Sequence, residues 1–311
     1  MVIELDPSSL DRQDLPRGPR LNLAIGPNCP VRCEGCYNNF GDTFNNGGLV
    51  TAAEITDFAT DIRDRDIDGA TLSGGDPLYH PEIKNIISGL YDLGFRIKID
   101  TVGTALLRES KIAFKGKGEV QQLFIEEISD KIESITIPID GIDQETVYKF
   151  RKGRKNLFDE TLTISRLLRE SDVTFDFNTV VNLANIDQIE LIGRLALSLG
   201  AITWHVFEYD TTGPNPSQHK DDLALIDGQF LEIIENLNSL KGNGMRLDIR
   251  TQESRIGEGA YFFVNDAGVA WSPTGQVGLS SRFGHITRDR EKVLSAYDNH
   301  ITAFWEKFSI D

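Results

Sequence analysis

The chain has 311 residues, 40% of them hydrophobic, and its 48 acidic against 32 basic side chains give a formal net charge of -16. It has the length to bury a sizeable core, and no apolar run approaches the ~20 residues that cross a bilayer, so a soluble globular protein is expected with no membrane contact. Such an acidic balance excludes an extended nucleic-acid interface, which needs a basic face against phosphates. The basic stretches "RKGRK" (Arg151 to Lys155) and "KGK" (Lys115 to Lys117) leave room for one small anion.

In chain order, "LNLAI" (Leu21 to Ile25) reads as a strand that runs straight into "CPVRCEGCY" (Cys29 to Tyr37). "TAAEITDFATDI" follows with Thr51 and Glu54 at capping-box spacing and Ile55, Phe58 and Ile62 on one helical face. "GATLS" is a strand ending at Ser73; "PEIKNIISGLYDLG" is a helix with Ile83, Ile86, Ile87 and Leu90 as its stripe and Gly94 as its stop. "FRIKID" alternates as a strand with one buried face does. The same βα rhythm continues through "VQQLFIEEIS", "SITIPID", "LFDETLTISRLLRE", "VTFDFNTVV", "IDQIELIGRLALSLG" and "ITWHVFEY". Beyond about Gly213 the pattern changes: a helix around Leu223 to Leu240, the strand "MRLDI", a hairpin turning at Asn265 to Gly268, and a last amphipathic helix carrying Tyr297, Ile301, Phe304 and Trp305.

Six βα units imply parallel strands joined by right-handed crossovers. The expected fold is α/β, a partial (β/α)6 TIM-like barrel over residues 1–212, with an α+β extension over 213–311 closing the substrate pocket. In such barrels chemistry sits in the loops after the strands. Unusual residues do occur there: the cysteines after the first strand, "SGGDP" (Ser73 to Pro77) after the second, "DTVGT" (Asp100 to Thr104) after the third, and "DGID" (Asp140 to Asp143) after the fourth. Asn178 and Glu208 lie near the ends of the fifth and sixth.

Cys29, Cys33 and Cys36 are all the cysteines in the chain. Their clustering argues for a shared ligand, and their odd number, with no secretory leader ahead of them, argues against a disulfide framework and for a reducing, cytoplasmic setting. A structural zinc would need a fourth ligand from one of the scattered histidines, and electron-carrier clusters normally take four thiolates. Three thiolates on a [4Fe-4S] cube leave one iron open, which is what catalysis requires.

The C-x3-C-x2-C spacing after the first strand of a parallel βα array resembles the radical S-adenosylmethionine (SAM) superfamily. That resemblance implies a [4Fe-4S] cluster on Cys29, Cys33 and Cys36, with the amino and carboxylate groups of SAM on the fourth iron. It also implies reductive cleavage of SAM to a 5′-deoxyadenosyl radical, so that the vacancy for a fourth cysteine belongs to SAM. Tyr37 matches the aromatic position near the adenine. "SGGDP" matches the family's GGEP-like element that receives the SAM amino group, with Gly74 and Gly75 permitting close approach and Asp76 in place of the commoner glutamate. Thr101 and Asp140 occupy polar positions implied to contact ribose or carboxylate, Arg151 is the implied carboxylate partner, and Asn178 with Val180 falls where ribose and adenine are held.

With no cysteine-rich extension for auxiliary clusters, the expected activity is hydrogen abstraction from a small polar metabolite or natural-product intermediate. From Asp140 to about Trp271 the layout is also similar to viperin-type enzymes, which implies nucleotide dehydration as an alternative, with Lys152, Arg154 and Lys155 as anion contacts. A peptide- or protein-modifying enzyme is a further alternative, and a non-enzymatic metal-binding protein the outsider. His205, Glu208, Tyr209 and Trp271 are candidate substrate contacts alongside Lys155. The expected partners are the small-molecule substrate and an electron donor such as flavodoxin or ferredoxin.

Overall fold

The computed structural model describes residues 18–36, 48–65, 67–107, 125–212, 216–237, 244–257, 259–274 and 279–308. The elements run β1 (Leu21–Gly26), β2 (Arg32–Cys33), α1 (Ala52–Arg63), β3 (Gly69–Gly74), α2 (Ile83–Asp92), β4 (Arg96–Asp100), β5 (Ser134–Pro138), α3 (Gln144–Phe150), β6 (Arg151–Lys152), α4 (Leu157–Glu170) and β7 (Phe175–Val181). They continue with α5 (Ile189–Leu199), β8 (Thr203–Glu208), α6 (Lys220–Leu223), α7 (Gln229–Leu237), β9 (Arg246–Arg250), β10 (Phe263–Asn265), β11 (Val269–Pro273), β12 (Ser280–His285) and α8 (Arg290–Phe308).

The local chemistry behaves as the sequence dictates. Thr51 Oγ1 accepts from Glu54 N while Glu54 Oε2 accepts from Thr51 N, closing the capping box of α1, and Ile55, Phe58 and Ile62 are buried. Gly94 turns off α2 with φ +80°. Asn265 Oδ1 accepts from the backbone of Ala267 and Val269, which tightens the β10–β11 hairpin. Two helical expectations change. The segment Ile125–Lys131 forms two short 3-10 turns, and its expected first residues lie outside the described set. In place of the helix expected over 223–240, α6 stops at Leu223 where Ala224 turns extended, and α7 begins only at Gln229, after Gly228 at φ +89°; residues 238–240 lie outside the described set.

One ten-stranded sheet has the order β12-β11-β10-β1-β3-β4-β5-β7-β8-β9. The six predicted strands are mutually parallel, as right-handed βα units require. The chain beyond residue 213 builds both margins of that sheet: β9 adds parallel to β8, and β10 adds parallel to β1 before β11 and β12 turn back antiparallel. Strand pleating gives the sheet two unlike faces. On one, Leu23, Leu72, Ile97, Ile99, Ile135, Ile137, Phe177 and Trp204 are fully buried under the helices. The opposite face carries Thr71, Lys98, Asp100, Thr136, Asp176, Asn178, His205, Asp248, Arg250 and Phe263, aligned by register across seven strands. Tyr261, beside β10, feels the charges of Asp248 and Arg250 on β9 and of Asp100 on β4. The two margins therefore curl toward each other, giving a partial barrel whose inner face is polar.

Candidate active site

The cysteine loop leaves β1 where two backbones touch. A Cβ on Gly26 would lie 2.5 Å from Asp76 N, and one on Gly74, which has φ +117°, would lie 2.6 Å from Gly26 N. Only glycine fits either position, so Gly74 serves strand contact as well as any ligand approach. Gly75 N donates to Gly26 O at 2.9 Å and Asp76 N to Asn28 O at 2.6 Å, fixing the loop's exit. The loop then forms a two-residue antiparallel ladder, β2 with β6, that sets Cys33 opposite Arg151 and Arg32 opposite Lys152. Glu34 N donates to Phe150 O at 2.9 Å and Cys36 N to Cys33 O at 3.2 Å. Gly35 has φ +120°, and a Cβ there would fall 2.4 Å from the ring of Tyr209. Tyr37 lies outside the described residues.

A charged relay runs behind the cysteines. Arg151 Nη1 donates to Cys33 Sγ at 3.2 Å, and Arg151 Nε donates to Asp140 Oδ2. Asp140 Oδ1 accepts from Val180 N at 2.8 Å, and its side chain is fully buried. Burial works against the Arg151 charge, yet Asp140 and Cys33 hold its pKa above the ordinary arginine value. Burial pushes the Cys33 thiol up while Arg151 opposes that shift; it pushes Cys29 well up, with Asp76 adding to the effect. Val31, Val102, Val147 and Leu157 make an apolar shell against Cys29 and Cys33.

Asp76 and Thr101 form a second buried set. Asp76 Oδ1 accepts from Thr101 Oγ1 at 2.6 Å and Leu78 N at 3.1 Å, and Oδ2 accepts from Val102 N at 3.0 Å. Thr101 Oγ1 accepts from Gly103 N at 2.9 Å. Burial raises the Asp76 carboxyl to about 6 against these hydrogen bonds. The two residues thus tie the loop after β3 to the loop after β4. Asn178 differs: its Oδ1 is buried and has no hydrogen-bond partner.

The substrate candidates separate. His205 stands on the inner face, with Nδ1 2.7 Å from Asp248 Oδ2 and Nε2 3.9 Å from Asp176 Oδ2. Burial works against its charge, but the two carboxylates raise its pKa above the usual value. Asp176 is held at about 2 despite burial, by His205 and by Lys98 Nζ at 3.2 Å. Trp271 stacks on Phe263 with centroids 4.9 Å apart. Glu208 Oε2 accepts from Gln252 N at 2.7 Å. Tyr209 instead sits beneath the cysteine loop, edge-on to Phe150, and burial pushes its hydroxyl up to about 12. In the basic loop Arg154 is paired with Glu160, Lys152 lies 5.2 Å from the Tyr148 ring, and Lys155 is exposed.

Sequence reasoning singled out Asp100 only as part of "DTVGT" and missed Lys98, Asp176, Asp248, Arg250, Arg255 and Tyr261. The signal was present as charges at alternate strand positions in "FRIKID", "VTFDFNTVV" and "MRLDI", but alternation cannot tell outer solvent from a barrel interior.

Comparison with known proteins agrees with the geometry. Relatives include the AdoMet-dependent heme synthase of Methanosarcina barkeri, 30% identical over 185 residues, which is 60% of this chain and 49% of that protein. The enzyme of the same name from Nitratidesulfovibrio vulgaris is 27% identical over 142 residues, 46% of this chain and 35% of that protein. The matched region thus spans half or less of these relatives. Among solved structures, anSMEcpe with bound AdoMet superposes with TM-score 0.65 at 16% identity, over 90% of this chain and 81% of that one. Streptococcus suis SuiB bound to S-adenosylmethionine gives 0.63 at 11% identity, over 93% and 67%. At these identities the likeness is one of fold. The family model described as the radical SAM superfamily matches residues 23–196, more than half of the chain, from β1 through most of α5. With the three cysteines held on the loop that follows β1, the chain belongs to the radical SAM superfamily.

Proposed function

We propose that this chain cleaves SAM reductively at a [4Fe-4S] cluster held by Cys29, Cys33 and Cys36 and abstracts hydrogen from a small polar molecule lying against the inner face of the sheet. The observation that carries this reading is the junction of the two halves: one loop bears all three thiols, and the sheet beside it turns a polar face inward.

The residues present fit the implied groups. The donor set is three free thiols on one loop, and thiolates are the ligands that hold iron–sulfur clusters. The orphaned Asn178 Oδ1 offers a buried acceptor for a donor from a bound molecule. When bound, the cluster and SAM together supply an electron and a primary carbon radical, chemistry that side chains cannot provide.

The chain's own residues do the rest. Arg151 places a positive charge on Cys33 Sγ and so favours the thiolate that ligation requires. Asp140 keeps that guanidinium in place and ties it to β7 through Val180 N. Gly26, Gly74 and Asp76 fix the loop against the sheet, and the apolar shell around Cys29 and Cys33 limits water. The nucleotide-dehydratase alternative loses support, because Arg154 is engaged with Glu160 and Lys152 with Tyr148 rather than open to phosphate. Reduction would come from an external donor such as a flavodoxin or ferredoxin.

The test is anaerobic reconstitution with iron and sulfide, followed by SAM and dithionite, with 5′-deoxyadenosine quantified. Wild type should hold close to four irons per chain on this reading and form 5′-deoxyadenosine; Cys33→Ala should lose both while keeping its secondary structure. Normal turnover in Cys33→Ala, or zinc in place of iron in wild type, would overturn the reading.

A further inference from the structure

The inner face carries Lys98, His205, Arg250 and Arg255 among its carboxylates. Lys98 is paired with Asp176, while His205 and Arg250 share Asp248, with Arg250 Nη2 at 2.9 Å from Oδ2. Asp100 is half-buried and hydrogen-bonded to Thr136, and desolvation raises its carboxyl above the ordinary value. Arg255 stands apart from this arrangement. Its Nη2 donates to the backbone oxygen of Glu208, its Nε to Thr251 O at 3.3 Å, and its guanidinium carbon lies 5.6 Å from the Phe207 ring centroid. Among the described residues no carboxylate comes within ion-pair distance of it; Asp210 and Glu208 act only from farther away. A partly buried guanidinium satisfied by neutral carbonyls and a ring face is an incomplete site, since sequestered charge is ordinarily matched by an opposite charge. In a protein of net charge -16, that local cation calls for an anion from outside the chain.

A row of aromatic side chains stands beside the cation. Tyr261, Phe263 and Trp271 form a continuous ladder, Tyr261 on Phe263 at 5.2 Å and Phe263 on Trp271 at 4.9 Å, with interplanar angles of 21° and 24°. All three remain partly exposed, and the first feels the charge of Arg255. Phe207 faces the same side and lies beneath the guanidinium. An independent sign of a ligand comes from Asn265, two residues beyond Phe263 on the same strand face. It is 6% exposed, its Oδ1 is used by the hairpin, and its Nδ2 has no hydrogen-bond partner. A buried amide donor left unmade is costly, and an acceptor on a bound molecule removes the cost.

We propose that Arg255 anchors the carboxylate of a substrate whose flat, unsaturated part lies along Tyr261, Phe263 and Trp271, with Asn265 Nδ2 donating to a further oxygen or nitrogen of the same molecule. This deepens the radical SAM reading and rests on its placing of substrate at the inner face. Arginine suits the role because its planar fork matches a carboxylate, and the edges of the stacked rings suit the face of a planar partner.

The test uses the reconstituted, SAM-bound protein and calorimetry with three probes: 2-naphthoate, its neutral counterpart 2-naphthylmethanol, and cyclohexanecarboxylate, which keeps the charge and loses the flat ring. Wild type should bind 2-naphthoate about tenfold or more tightly than the alcohol, the value of one charge-assisted contact, and more tightly than cyclohexanecarboxylate, which lacks the aromatic contact. Arg255→Gln should erase the preference for naphthoate over the alcohol while leaving alcohol affinity within about twofold. Trp271→Leu should erase the preference for naphthoate over cyclohexanecarboxylate. Arg255→Lys, which keeps the charge and the backbone contacts within reach, should retain a reduced preference and covers the case in which the glutamine variant does not fold. No binding of 2-naphthoate, equal binding of acid and alcohol by wild type, or an unchanged preference in Arg255→Gln would each overturn the proposal. 5′-Deoxyadenosine formation in the same preparations reports separately on the radical reading, so loss of one leaves the other standing.

Discussion

Asp140 offers the sharpest test of how the cysteine loop is held. Its side chain is completely buried, that of Arg151 is 13% exposed, and the pair reaches Cys33 on one side and Val180 N on the other. Removing one member of such a pair leaves an uncompensated buried charge, at a cost of about 3–5 kcal/mol. Asp140→Asn preserves the shape and one acceptor oxygen, so the lower end, about 3 kcal/mol, is expected. Arg151→Met should cost a similar amount by stranding the aspartate. Because the charge stranded by each single change is absent from the double variant, the two costs should fail to add by about 2 kcal/mol.

Urea unfolding of the apoprotein measures all four corners of this cycle, read as midpoint shifts at constant slope. Iron content after reconstitution gives a second readout. Asp140→Asn should retain less iron than wild type, because the guanidinium that favours the Cys33 thiolate loses its tether. A coupling below about 0.5 kcal/mol, or Asp140→Asn with wild-type stability and full iron, would refute the relay.

Gly35→Ala should destabilise the cysteine loop by about 2–4 kcal/mol, combining the strain of a side chain at φ +120° with overpacking against Tyr209. Adding Tyr209→Ala should recover part of the iron binding lost in the single variant, and no recovery would mean the strain is purely backbone. At the far side of the fold His300 is buried against Phe262 and Tyr297, and burial lowers its pKa to about 4. Its stabilising neutral form is fully present above the unfolded value of 6.5 and is lost as pH falls toward 4. The protein should therefore be about 2 kcal/mol less stable at pH 5 than at pH 8 through this group alone. His300→Phe should remove that increment from the pH profile; an unchanged profile would show that His300 is hydrated in the fold. If Lys155 does hold a phosphate, Lys155→Ala should weaken nucleotide binding and leave SAM affinity alone, whereas equal nucleotide affinity would close the viperin-like reading.

Much of the scaffold was legible because its signals are local. Thr51 and Glu54 mark a helix start by side-chain reach alone, Ile83, Ile86, Ile87 and Leu90 mark a buried stripe by period, and three cysteines in eight positions mark a ligand loop. The break between α6 and α7 escaped, since Ala224 leaves the helix for an extended conformation that a helical stripe does not reveal. The pairing of Cys33 with Arg151 was also hidden. It depends on a two-residue ladder between segments 118 positions apart, and nothing near either residue announces the other.

The polar inner face shows the deeper reason why substrate contacts resist reading. Lys98, Asp176 and Asp248 each sit in a strand that alternates apolar with charged residues, the pattern of a sheet with one face in water. Here the charged side faces other strands of the same sheet across the partial barrel. Whether an alternating strand turns its charges outward or into a catalytic chamber depends on which way the sheet curls, and that is settled by strands as distant as β4, β9 and β10. The cofactor loop, built from consecutive residues, can therefore be found by motif. The proposed substrate site is assembled from Arg255, Tyr261, Phe263 and Trp271 against residues of β7 to β9, so it can be found only once those margins have met, and its chemistry can vary while the loop stays fixed.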